Sequence, residues 1–148
     1  IEHQDIGIVG EQYACTHLTS KGYTIREKNW RYGRLEVDII AEKAGVVCFV
    51  EVKTRENRYA GDPALAVKRG KQKSIIKVAA AYIKEFDVEA EYRFDIIGII
   101  MNQKETHLEH IEDAFQPYYE KAKSPKVCLR SETYTIEQFI SNSGLCNR

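Results

Sequence analysis

Asp38, Glu51 and Lys53 stand in the stretch GRLEVDIIAEKAGVVCFVEVKTR, residues 33–55, whose Val, Ile and Phe content otherwise marks a buried β-hairpin. Side chains alternate between the two faces of a strand. With Ala44-Gly45 as a two-residue turn flanked by Lys43 and Val46, Asp38 is set opposite Glu51 and Glu36 opposite Lys53, all four on one face. A longer turn would shift the register without moving the group to the other face. That other face carries Val37, Ile39, Ala41, Cys48, Val50 and Val52, an ordinary core.

Two carboxylates side by side among apolar neighbours repel each other, and burial penalises both charges. A divalent cation that prefers oxygen, Mg²⁺ or Mn²⁺, removes the repulsion and takes both Asp38 and Glu51 as ligands. Lys53, on the same side, would hold or help deprotonate a water, and the set then suits metal-assisted hydrolysis of a phosphodiester. The residues alone leave open a metal-free ion-pair network in which Lys53 pairs with Glu51 or Glu36. Glu11 adds an inward-pointing carboxylate from the apolar stripe of a helix, unless it serves only to complement the helix dipole.

The elements that must position these groups are legible as periodicities. Residues 7–21 carry Val9, Tyr13, Ala14 and Leu18 at helical spacing, with Gly22 where a C-terminal glycine belongs. YTIREKNW (23–30) predicts a strand before an RYGR turn, and residues 35–41 and 46–54 the hairpin. A surface loop with Gly61 and Pro63 follows, then a helix over about 70–86 with Ile75, Ile76, Val78, Ala79, Tyr82, Ile83 and Phe86 inward. YRFDIIGII (92–100) reads as a central strand, apolar except at Asp95, and 106–112 as an edge strand. The order predicts an α/β layered domain with a mixed β-sheet flanked by helices. Beyond Pro117 the pattern loosens, and YTIEQFISNSG predicts a short terminal helix.

The chain of 148 residues, 43% apolar and 30% charged, suits a single domain. It lacks a run long enough for a membrane helix, and the first thirty residues lack the order of a signal peptide, so a cytoplasmic protein with no membrane partner is expected. The four cysteines are widely spaced and predict free thiols. Net charge is zero, but between Lys53 and Lys77 eight basic residues face two acidic ones. Arg55, Arg58, Lys68, Arg69, Lys71 and Lys73 in that segment are candidates to grip phosphates, against the plainer reading of a solvated face.

An acidic residue on a first helix, Asp38, and EVK at 51–53 together resemble the PD-(D/E)XK nuclease superfamily, with its restriction-endonuclease-like core and its Holliday junction resolvase-related branch. The pieces GIVGEQYACTHLTSKGY, KNWRYGRLEVDIIA, CFVEVKTR, AVKRGKQKSI and RFDII look specifically like the YraN family of bacterial proteins. The resemblance covers residues 6–116, leaving 117–148 as an extension. It implies an active site of Glu11, Asp38, Glu51 and Lys53, a metal held by Asp38, Glu51 and the Val52 carbonyl, and Lys71 or Lys73 near the scissile phosphate. Val37 precedes Asp38 where the superfamily pattern has proline, and Glu36 stands at the family's own glutamate position without an assigned role.

The expected function is a Mg²⁺- or Mn²⁺-dependent endonuclease acting on branched or damaged DNA, with a nucleic-acid-binding module lacking catalysis as the alternative. A symmetric homodimer fits enzymes that must cut two strands. Other signals point to structure. His107 and His110 would face opposite sides of a strand, Asp95 reads as a structural hydrogen-bonding group, and Trp30 and Tyr32 cap a core more readily than they stack on a base.

Overall fold

The computed structural model of the chain describes residues 3–117. Its elements run α1 (His3–Ser20), β1 (Thr24–Tyr32), β2 (Leu35–Lys43), β3 (Val46–Arg55), α2 (Arg69–Glu85), β4 (Glu91–Met101) and β5 (Thr106–Phe115), with two 3₁₀ turns, Arg58–Ala60 and Ala64–Ala66, between β3 and α2. The strands form one mixed sheet in the order β1-β2-β3-β4-β5. Only β3 and β4 run parallel, and α2 is the crossover that this pairing requires. This is the layered α/β arrangement that the element order predicts, consistent with a restriction-endonuclease-like core.

Ala44 and Gly45 both take positive φ, 51° and 76°, and Lys43 pairs with Val46 across them. The two-residue primed turn therefore holds, and the register it dictates runs from Lys43/Val46 to Ile39/Val50. α1 ends as its glycine demands. Gly22 lies at φ 88°, the Tyr23 N–H donates to the Leu18 carbonyl and the Gly22 N–H to that of Thr19, a Schellman closure with Leu18 and Tyr23 buried together.

Each face of the sheet has its own core. On the α1 side Ala14 and Leu18 pack against Ile39, Ala41, Cys48 and Val50, with Ile97 and Ile99 beyond. On the α2 side the rings of Tyr82, Phe49, Phe94 and Phe115 touch in that order at 5.1–5.9 Å between centroids. Trp30 joins this layer edge-on to Tyr82 at 5.2 Å, so it caps a core.

Two expectations for the helices are corrected. Ala14 and Leu18 are buried as predicted, but Val9 and Tyr13 are 42% and 44% exposed, because the stripe of α1 that meets the sheet runs through Gly10, Ala14 and Leu18. Phe86 follows the end of α2 and is half-exposed. Asp95 is fully buried on the α1 side, where it accepts bonds from Arg93, from His110 Nε2 at 2.8 Å and from the Asp113 N–H at 3.0 Å. His107 is exposed while His110 turns inward, so the pair faces opposite sides. Cys15 and Cys48 are free thiols. Among the described residues no helix is long and apolar enough to cross a membrane. The predicted terminal helix and the 118–148 part of the extension lie outside the described residues.

Candidate functional site

The β2–β3 ladder stops at Ile39/Val50. Beyond it β2 remains paired with β1, and β3 with β4, so the two strands part like a fork. Asp38 and Glu51 are the first residues past the last pair, on the α2 side, and are only 9% and 7% exposed. Parting leaves the Val52 N–H without a backbone acceptor on β2. Asp38 Oδ2 takes that hydrogen bond at 2.8 Å. The two carboxyl groups interact directly, and each disfavours the other's charge unless one of them carries a proton.

Burial and the neighbouring Asp38 charge push the Glu51 carboxyl up to about 8, against a smaller opposing pull from Lys71. Asp38 is raised as well, chiefly by burial, with the Val52 hydrogen bond opposing. The pair thus shares a proton near neutrality, as close carboxylates do. Lys71 Nζ stands 3.6 Å from Glu51 Oε1. Glu51 Oε2 is buried and finds no donor among the described residues. A carboxyl oxygen left bare in a dry setting costs free energy unless a proton or another positive group reaches it.

That orphaned oxygen is the local feature an ion would satisfy. Among the described residues no three His, Cys, Asp or Glu side chains converge. An ion would rest on Asp38 and Glu51, with backbone oxygen such as the Val52 carbonyl and water completing its shell. Few carboxylates and several waters suit Mg²⁺ better than a fully caged cation.

Glu11 comes from the other side of the sheet. Gly10 makes this approach possible: a Cβ there would sit 2.0 Å from Thr54 Oγ1, so α1 lies on β3 at a notch only glycine leaves open. Glu11 Oε2 accepts a bond from Asn29 Nδ2 at 3.3 Å, and its carboxyl is raised by burial and then by the field of Asp38. It is therefore near the pair in charge but not bonded to it. Asn29, at φ 50° within β1, and Gly10 are site-building residues that sequence reasoning did not single out. The motif GIVGE, with a glycine directly before the acid, was the available signal.

Lys53 is half-buried on the same face as Glu51, with no bonded partner among the described residues. Glu36, its predicted opposite, is bound by Arg31 Nε at 2.6 Å. The fork separates Glu36 from β3. Arg55 continues the row on β3, and its Nε is buried with no partner among the described residues. Lys68 caps α2 without a side-chain hydrogen bond, so the first-turn amides and the dipole of this 17-residue helix open beside Glu51. Arg69 and Lys73 both make interactions within the chain. Arg58 lies on the 3₁₀ turn, 3.6 Å from Glu105.

Fold and site together define an α/β protein of the PD-(D/E)XK-like group: a mixed sheet whose forked hairpin presents paired carboxylates beside a basic helix. The chain belongs to the family described as uncharacterised protein family UPF0102, the YraN-like group, whose model matches residues 10–99. It is 42% identical over 116 residues to a UPF0102 protein of Phocaeicola vulgatus, covering 78% of this chain and 96% of that one. A UPF0102 protein of Flavobacterium psychrophilum is 42% identical over 77% of this chain and 96% of its own. One from Chlorobium phaeobacteroides is 46% identical over 75% and 93%.

Proposed function

We propose that the chain is a Mg²⁺- or Mn²⁺-dependent endonuclease that hydrolyses DNA phosphodiester bonds, with branched or damaged DNA as its substrate class. The observation that carries this reading is the buried carboxylate pair at the strand fork, one oxygen of which lacks a donor among the described residues, beside the start of a basic helix that has no side-chain cap. Asp38, Glu51 and the Val52 carbonyl would hold the ion. When bound, such an ion supplies charge neutralisation and Lewis-acid polarisation of a phosphodiester oxygen. Lys53, on the same face and without a partner among the described residues, orients the attacking water. Glu11, anchored by Asn29, steers water from the α1 side. Lys68, Lys71 and the first-turn amides of α2 receive phosphate charge, so binding weakens steeply with salt.

Calorimetric titration of Mn²⁺ into the full chain is expected to show saturable binding that Asp38→Asn lacks. Asn retains an acceptor for the Val52 N–H, so the variant should stay folded while losing cleavage of branched, flapped and single-stranded DNA. Undiminished cleavage would overturn the site assignment. Lys71 favours one other reading, a nucleic-acid-binding module without turnover, since its ammonium offsets Glu51 without an ion. DNA binding by the wild type with no Mn²⁺ uptake would establish that reading instead.

A further inference from the structure

A cavity of about 200 Å³ opens on the outer part of the sheet, between the β3–α2 connection and the β4–β5 hairpin. Its floor is Gly98 and Ile100, its near wall Pro63, and its polar rim Arg58, Asp62, His107 and Glu109. Gly98 pairs with Lys53, and Ile100 with Arg55, so the floor lies one strand from the row that begins at Glu51. Strand spacing and rise put the Cα atoms of Glu51 and Gly98 about 8 Å apart. A nucleic-acid strand advances about 3.4 Å per nucleotide in a stacked duplex, so the cavity is within reach of nucleotides flanking a phosphate at the carboxylate pair.

The cavity is built rather than incidental. A Cβ on Gly98 would meet Ala64 N at 3.1 Å and Pro63 Cβ at 3.3 Å, so the connection sits directly on the strand there. Asn57 Oδ1 accepts from the Tyr59 N–H, Asp62 Oδ1 from the Ala64 N–H, and the Glu56 carbonyl from Asn102 Nδ2. These bonds hold the turn that carries Tyr59, whose ring is 98% exposed, between the rim residues Arg58 and Gly61.

From this we infer that the cavity receives one unstacked nucleobase bearing an exocyclic amino group, with Tyr59 as the ring that takes its place in the stack. The inference rests on the nucleic-acid reading above and names the substrate feature that reading leaves open. The chemistry fits a base and not a phosphate. Asp62 and Glu109 place two carboxylates on the rim against the one guanidinium of Arg58, which disfavours an anion. Carboxylates accept from the amino group of cytosine, adenine or guanine, while Arg58 and His107 donate to ring and carbonyl acceptors. The volume is below the roughly 300–1,000 Å³ of ordinary ligand pockets and suits a single ring system over an apolar floor. Extruding a base costs least where it is already unpaired, so bulged, mismatched or junction DNA becomes the favoured substrate.

The test is fluorescence anisotropy at low salt with two labelled duplexes that differ only by one bulged cytosine, in EDTA so that neither is cut. The full chain is expected to bind the bulged duplex about tenfold more tightly. His107→Ala/Glu109→Ala, both on exposed positions of the edge strand, is expected to bring the two affinities within about twofold while leaving that for the paired duplex unchanged. Equal binding of the two duplexes by the wild type, or a preference that survives the double substitution, would overturn the base pocket alone. Failure to bind either duplex would overturn the nucleic-acid reading and the pocket with it.

Discussion

Replacing Glu51 by Gln should make the protein more stable, by an amount set by pH. Burial and the Asp38 charge raise the Glu51 carboxyl from 4.5 to about 8 in the folded chain, and its side chain is only 9% exposed. Between those values the folded state binds more protons than the unfolded one, so stability falls as pH rises. The penalty is absent below 4.5, grows through the interval and is complete above 8. At 1.36 kcal/mol per unit it amounts to less than about 1 kcal/mol at pH 5, about 3 at pH 7 and about 5 at pH 9. Gln keeps the shape of the side chain and its capacity to hydrogen-bond Asp38, and it carries no charge at any of these pH values. Urea denaturation of the full chain in EDTA at the three pH values should show Glu51→Gln ahead of wild type by a margin that widens in that order. Equal stability at pH 9, or a margin independent of pH, would refute the account of a strained carboxylate. Saturating Mn²⁺ should narrow the margin, because an ion that needs Glu51 stabilises the wild type alone.

Four further substitutions, two of them paired in one cycle, test the framework of the fold. Gly10→Ala, normally worth up to about 1 kcal/mol in a helix interior, should instead destabilise by about 1–3 kcal/mol, since its Cβ would lie 2.0 Å from Thr54 Oγ1. Thr54→Ala should recover most of that loss in a double-mutant cycle of thermal unfolding. Ala44→Asn should stabilise by about 1 kcal/mol in urea titrations, because Ala44 holds φ 51° in a turn that favours Asn-Gly. Burial works against the Asp95 charge, but hydrogen bonds from His110, Arg93 and the Asp113 amide outweigh it and hold the carboxyl below its ordinary 3.8. Asp95→Asn should therefore cost about 3–5 kcal/mol at pH 7, with the deficit shrinking as pH falls below 3.8, where the unfolded chain takes up the proton, until the folded carboxyl protonates as well.

Where physics is local, the sequence is a good guide. The Ala44-Gly45 turn sets the register of the hairpin, and that register brings Asp38 beside Glu51. Gly22 ends α1 as expected because the Schellman closure needs only neighbouring residues. Contacts that depend on distant elements were not legible in the same way. The cation at Glu51 is Lys71, not Lys53, because the β3–α2 connection returns the helix start to the fork. Val9 and Tyr13 have the spacing of an inward face, yet the notch at Gly10 rotates α1 so that they point outward. Asn29 gives no periodic signal, since its use depends on β1 lying beneath α1.

The fork also separates two kinds of necessity. Asp38 stops a backbone amide from being stranded, so a descendant that had abandoned catalysis would still need an acceptor at that position to keep its sheet from rearranging. The free oxygen of Glu51 performs no such service and only burdens the fold. Among relatives drifting without selection for chemistry, position 51 should therefore decay first, to Gln or an apolar residue, while position 38 lags behind. Retention of Glu51 is then a more discriminating mark of a working enzyme than retention of Asp38.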